Sequence, residues 1–85
     1  MKVAVYDTYV PKNEHTVMHF DILVKDTDTI ENVYKYGKEY LGEKGISNVE
    51  LSTKECRFCH MESAPEMVEK AITEKSYFII EMENC

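Results

Sequence analysis

The stretch that decides the fold is Thr16-Val17-Met18-His19-Phe20-Asp21-Ile22-Leu23-Val24-Lys25, because its side chains alternate between two faces over its whole length. Between Val17 and Val24 one face is wholly apolar, and the other mixes apolar with polar residues; the two sets are Met18, Phe20, Ile22 and Val24, and Val17, His19, Asp21 and Leu23. Alternation with a period of two residues is typical of a β-strand. The stretch therefore predicts a strand with its apolar face against a core.

The residues before this stretch predict a partner strand. Lys2 to Val10 are largely β-branched or aromatic, and Pro11-Lys12-Asn13-Glu14 contains turn-forming residues. A strand, a turn and a second strand in direct succession predict a hairpin.

A helix is predicted after the hairpin. Asp26 to Thr29 offers several N-caps, apolar residues recur at helical spacing from Ile30 to Leu41, and Gly42-Glu43-Lys44-Gly45 ends the pattern. Gly37 lies on the apolar side of this helix, where a side chain would hold the helix away from its neighbour. We therefore expect a close contact at Gly37.

The last third of the chain predicts a strand, a helix and a strand. The segment after Leu51 fits an extended chain, a helix start lies near Pro65, and Lys75-Ser76 ends that helix. Tyr77 to Met82 alternates again, and we expect Ile80 to join the apolar face of Phe20. The predicted order is ββαβαβ.

Together these elements predict a compact α/β (α+β) sandwich, in which a four-stranded mixed sheet carries two helices as a single domain over residues 1–85. The sheet is expected to be mixed because crossover connections through helices place strands in parallel. Both sheet faces carry apolar side chains, among them Val3, Val5, Val17, Leu23, Tyr77 and Ile79 opposite Phe20. Either the helices divide between the faces or two subunits meet there, and we expect a homodimer.

The composition limits the classes of partner and the cellular compartment that we expect. Ten basic and sixteen acidic side chains give a net charge of −6, which repels phosphate backbones, so we expect no nucleic-acid partner. The sequence has no apolar run of about 18 residues and no signal-peptide pattern, so we expect no membrane partner and a cytoplasmic location. In a reducing compartment the three cysteines indicate thiols or metal ligands before disulfides.

Two of the three cysteines and one of the three histidines fall within five residues, in the segment Thr53-Lys54-Glu55-Cys56-Arg57-Phe58-Cys59-His60-Met61-Glu62. Its Cys-x-x-Cys-His string fits four interpretations: a metal site, a redox dithiol, a c-type haem attachment, or two small buried thiols with a hydrogen-bonded histidine. Haem fits least, because its attachment follows export. A redox dithiol fits poorly, because the next helix start lies near Pro65 rather than at the cysteines.

For the metal interpretation, zinc is the expected ion, with Cys56, Cys59, His60 and His19 as ligands. The segment supplies at most three of the four ligands that zinc wants, and His19 is the first choice for the fourth, ahead of Asp21, His15 and Cys85. A straight strand would point Cys56 and Cys59 to opposite faces, so this site requires a helix or a tight turn.

A separate group, Asp7, Tyr9, His19 and Asp21, is predicted to share one sheet face, where two carboxylates and an imidazole could perform acid–base work.

Four blocks give the chain a resemblance to a family of small, uncharacterised bacterial proteins known only as a domain of unknown function. They are Tyr6-Asp7-Thr8-Tyr9-Val10, Met18-His19-Phe20-Asp21-Ile22-Leu23-Val24, Gly37-Lys38-Glu39-Tyr40-Leu41 and Thr53-Lys54-Glu55-Cys56-Arg57-Phe58-Cys59-His60. The resemblance covers nearly the whole chain and implies a small cytosolic α/β protein. Because no nucleotide loop or nucleophile elbow occurs, we expect a binding or interaction module, with a thiol-dependent redox enzyme or a metal-assisted hydrolase as the alternative.

Overall fold

The computed structural model describes residues 1–47 and 49–85, and in them the predicted ββαβαβ order is confirmed. The elements are β1 (Lys2–Asn13), β2 (Thr16–Lys25), α1 (Ile30–Glu43), β3 (Cys56–Ser63), α2 (Glu66–Lys75) and β4 (Tyr77–Glu83). Thr29 caps α1 with its side chain, which accepts a hydrogen bond from the backbone N–H of Asn32. None of the helices in the described ranges is long and apolar enough to cross a membrane.

The sheet has the strand order β3-β1-β2-β4, and every neighbouring pair is antiparallel. The prediction of a mixed sheet was therefore wrong. The connection through α1 does leave β3 running in the same direction as β2, but β3 lies beyond β1 and pairs with β1 instead. The connection through α2 crosses from one edge of the sheet to the other, so β4 starts at the end of the sheet where β3 stops.

The two helices divide between the two faces of the sheet, which was one of the two arrangements that the sequence allowed. The face under α1 (the α1 face) carries the larger core, in which Phe20 and Ile22 of β2 pack with Val33, Tyr40 and Leu41 of α1. The opposite face (the α2 face) carries a smaller core of Val3, Val5, Leu23, Val68 and Ile72. Antiparallel pairing places Ile79 opposite Ile22, so Ile79 lies on the α1 face and Ile80 on the α2 face, the reverse of the prediction.

Gly37 is the close-contact position that the sequence predicted. A Cβ atom built there would lie 2.5 Å from Cδ1 of Leu51 and 2.9 Å from Cδ1 of Ile22, closer than carbon atoms pack. Glycine at this point lets α1 lie directly on the apolar face of β2.

The smaller helix covers only one end of the α2 face. Its contacts are with Val3, Val5 and Leu23, at the start of β1 and the end of β2. The other end of this face, where β1 and β2 approach their hairpin turn, carries polar side chains instead. These side chains form the candidate site.

Candidate metal centre

Three metal-ligating side chains converge on the part of the α2 face that α2 leaves open. Asp7 lies on β1, and His19 and Asp21 lie on β2. Asp7 pairs with Asp21 across the strands, and His19 comes two residues earlier on the same face. Strand alternation and hairpin register therefore bring the three side chains together.

The geometry of this group leaves buried polar atoms without partners. His19 Nε2 lies 3.8 Å from Oδ1 of Asp7 and 3.8 Å from Oδ1 of Asp21, beyond hydrogen-bonding distance. Within the described residues, His19 Nε2 and Asp21 Oδ1 are buried and have no hydrogen-bond partner. A buried polar atom without a partner costs about 1–3 kcal/mol, so the arrangement is unfavourable unless another group joins it.

The electrostatics of Asp21 reflect this crowding. Burial, together with the neighbouring Asp7 carboxyl, raises the pKa of Asp21 to about 6, while His19 and His60 act in the opposite direction. Two carboxyl groups held side by side resist being charged at the same time. A bound cation would relieve that repulsion.

The ring of Tyr9 holds the His19 imidazole in place. The two rings are stacked, with centroids 4.2 Å apart and planes 9° from parallel, and Tyr9 is half exposed on the outside. The stack fixes the plane of the imidazole and leaves Nε2 facing the two carboxylates. Tyr9, Asp7, His19 and Asp21 thus share one face, as the sequence predicted.

A β-bulge in β3 adds two further side chains to this face. Tyr6 pairs with Phe58 but Val5 pairs with His60, so Cys59 is the extra residue of the bulge. His60 Nδ1 lies 3.1 Å from Cys59 Sγ, and His60 Nε2 lies 3.4 Å from Oε2 of Glu62. Partial loss of solvent contact raises the pKa of the Cys59 thiol, although the residue as a whole is exposed, and so does the Asp7 carboxylate beside it. The thiol therefore lies next to the Asp7–His19–Asp21 group.

Cys56 does not belong to this site. It is buried in the core of the α1 face, where Thr8 Oγ1 donates a hydrogen bond to its Sγ at 3.4 Å. Burial raises the pKa of this thiol. Of the four predicted ligands, the structure brings His19, Cys59 and His60 to one face and leaves Cys56 on the other, because β3 is a strand and not the helix or tight turn that the four-ligand site required.

The alternative fourth ligands lie in different places. Asp21 is part of the group, whereas His15 is exposed in the hairpin turn. Cys85 packs against the α1-face core, and its thiol donates to the backbone carbonyl of His19 at 3.4 Å. Sequence reasoning placed Asp7 on the right face but did not name it as a ligand; its pairing with Asp21 in the hairpin register was the signal that could have shown this.

Comparison with protein families shows which family the chain belongs to. The family model for the domain of unknown function DUF2024 matches residues 1–82. The chain belongs to the DUF2024 family. This confirms the resemblance that the sequence blocks indicated.

The fold of this DUF2024 protein is similar to a solved structure. The NMR structure of protein NE1680 from Nitrosomonas europaea is 40% identical in sequence, covers 100% of this chain and 99% of its own, and has a TM-score of 0.88. Among curated proteins, no match was found. The DUF2024 family is defined as a domain of unknown function, so the activity must be argued from the site.

Proposed function

We propose that this protein is a small metal-binding module whose site on the α2 face holds one divalent cation through Asp7, His19 and Asp21. The observation that carries the proposal is the convergence of three ligand atoms within 4.8 Å of one another. Two of these atoms are buried without a hydrogen-bond partner among the described residues. A cation placed between them would supply the missing partner of each.

The spacing of the ligand atoms supports this proposal. Zinc with bonds of about 2.0–2.1 Å in tetrahedral geometry separates its ligand atoms by about 3.3 Å. The distances of 3.8 Å from His19 Nε2 to the two carboxylate oxygens are only slightly longer. Each of these two distances would have to shorten by only about half an ångström, and one hairpin, β1–β2, carries all three side chains.

Titration with zinc tests the proposal. The sample is protein without a histidine tag, from which a chelator has removed any metal. We expect about one zinc per chain and a rise in melting temperature of about 10–20 °C at a zinc concentration of about one hundred times Kd, because a ligand bound only to the native state stabilises it. His19→Ala should abolish both effects. His15→Ala removes an exposed imidazole from the hairpin turn and should leave them unchanged.

A second variant protects this test against misfolding. Asp21→Asn keeps the shape of the side chain and removes its charge. This variant should fold normally but bind zinc far more weakly than the natural protein does. Unchanged zinc binding in both His19→Ala and Asp21→Asn, or no binding by the natural protein, would refute the proposal.

Thiol chemistry is a second candidate function, and one observation favours it. Cys59 Sγ, the His60 ring and the Glu62 carboxylate form a continuous chain of close polar contacts, the order in which cysteine nucleophiles are activated. The raised pKa of Cys59 opposes this function, because the thiolate is the reactive form. Alkylation of Cys59 as fast at pH 6 as at pH 8 would favour a thiol-dependent enzyme, and a rate that rises steeply with pH would favour the binding module.

A further inference from the structure

We infer that Cys59 is the fourth ligand of the proposed metal site, which makes the site a closed, thiolate-containing one that selects zinc-like ions over magnesium and calcium. This inference rests on the proposed function and deepens it. A thiolate ligand would change which metals the site prefers. The three ligands from the hairpin are one imidazole and two carboxylates, a set that also suits harder ions.

The bulge in β3 is the first reason for assigning this role to Cys59. Val5 of β1 faces His60, and Asp7 of β1 faces Arg57, so the extra residue Cys59 lies between these two pairs. Asp7 and Val5 are thus the two β1 residues of the α2 face that flank the bulge, and Asp7 is the one with a metal-ligating side chain. The residue that breaks the β-ladder is the one whose side chain can reach toward the hairpin group.

The immediate neighbours of the thiol are the second reason. His60 Nδ1 contacts Sγ at 3.1 Å from the side of β3, and the Asp7 carboxylate lies beside the thiol on the side of β1. Asp7 also belongs to the group of three ligands. One carboxylate therefore adjoins both the Cys59 thiol and the group of three ligands. Among the described residues, Cys59 Sγ lies outside the set of ligand atoms within 4.8 Å of one another, so the thiol must move inward when the ion binds.

The coordination number gives the inference its functional meaning. Structural zinc sites have four protein ligands, whereas catalytic sites keep one position open for water. With Cys59 as a ligand, the site is closed and fits a binding module. With only Asp7, His19 and Asp21 as ligands, an open position would remain, as a metal-assisted hydrolase requires.

Cobalt(II) replaces zinc in such sites and reports directly on a thiolate ligand. We expect the natural protein to bind one cobalt per chain, with a near-ultraviolet thiolate-to-cobalt absorption band that excess zinc removes and excess magnesium does not. Cys59→Ser should lose this band and bind cobalt more weakly by at least about tenfold. Cys85→Ser and Cys56→Ala are the matched controls, because their thiols lie on the α1 face, and both should keep the band.

Protection of the thiol provides a second measurement that does not depend on spectra. Iodoacetamide should modify Cys59 in the metal-free protein, since this residue is exposed, and zinc should suppress that modification. Cobalt bound at one per chain without the thiolate band, and with Cys59 still open to alkylation, would refute the inference and leave the Asp7–His19–Asp21 site standing. No cobalt or zinc binding at all would refute both.

Discussion

At the scale of single residues, Gly37 shows how one missing side chain fixes the distance between a helix and the sheet. The residue lies in the middle of α1, where glycine costs about 1 kcal/mol relative to alanine. The contacts with Leu51 and Ile22 show why glycine is present despite this cost. The sequence could predict this role, because a glycine on the apolar side of a helix pattern indicates the close approach of a neighbouring element.

Gly37→Leu should destabilise the protein by about 1–3 kcal/mol, because the new side chain must displace the ends of the Leu51 and Ile22 side chains that pack against α1. Gly42→Ala is the control in the same helix. Its added Cβ would meet nothing within 4 Å, so it should stabilise the protein by up to about 1 kcal/mol. Urea unfolding followed by circular dichroism measures both, and equal effects of the two substitutions would contradict this role of Gly37.

At the scale of secondary-structure elements, β1, β2 and α1 were predictable and the placement of β3 and β4 was not. The alternation between Val17 and Val24 allows only one assignment of the buried face, since one side of this segment is wholly apolar. In Tyr77–Glu83 both sides of the strand begin with apolar residues, so periodicity could not decide which one packs against Phe20. That choice is made by pairing with β2 across the sheet.

The bulge in β3 is the reason that the candidate site was only partly predictable. A local pattern of Cys, Cys and His indicates metal ligands, but Cys56 and Cys59 diverge in a strand while the bulge returns His60 to the face of Cys59. Whether a strand contains a bulge depends on its pairing with the neighbouring strand, so the sequence of β3 alone does not predict the extra residue. Asp7 and Asp21 are far from the cysteines in sequence, and only the pairing of β1 with both β2 and β3 joins them.

Contacts of β4 with α1 and with Lys44, the residue that follows α1, predict how stability depends on pH. Lys44 contacts Glu81 at 2.8 Å and Tyr40 donates a hydrogen bond to the same carboxylate; these two contacts lower the pKa of Glu81. A lowered pKa in the folded state means that the stabilisation is present above the ordinary pKa of glutamate, about 4.3, and is lost as the pH falls through the folded-state value. Protonation of Glu81 should therefore loosen the attachment of α1 to the edge strand.

Urea unfolding of metal-free protein between pH 6 and pH 3 measures this effect. Glu81→Gln should lower stability at pH 6 and flatten its decline toward pH 3. Glu74→Gln changes an exposed carboxylate on α2 and should leave the profile of the natural protein unchanged. If Glu81→Gln and Glu74→Gln give the same profile, the contact with Lys44 and Tyr40 does not contribute.

At the scale of the whole molecule, the homodimer expected from the sequence remains a prediction, but its physical basis changes. The sequence suggested that an apolar sheet face was left uncovered, whereas the helices cover parts of both faces. Pairing along the edge strand β3 is another way in which two copies could associate. Phe58 and Met61 on this strand are 52% and 48% exposed, and an edge strand carries backbone groups that a second copy can pair with.

We therefore expect two copies to pair along β3, with Phe58 and Met61 covered in the dimer. Light scattering at micromolar concentration should give twice the chain mass of 9.9 kDa. Phe58→Glu should return the protein to a monomer, because it places a charge in the shared edge. Met67→Glu changes a 67% exposed side chain on α2, away from that edge, and should leave the dimer intact. A mass of 9.9 kDa for the natural protein would exclude this dimer, and β3 would then be a free edge whose bulge and neighbouring charges limit its pairing.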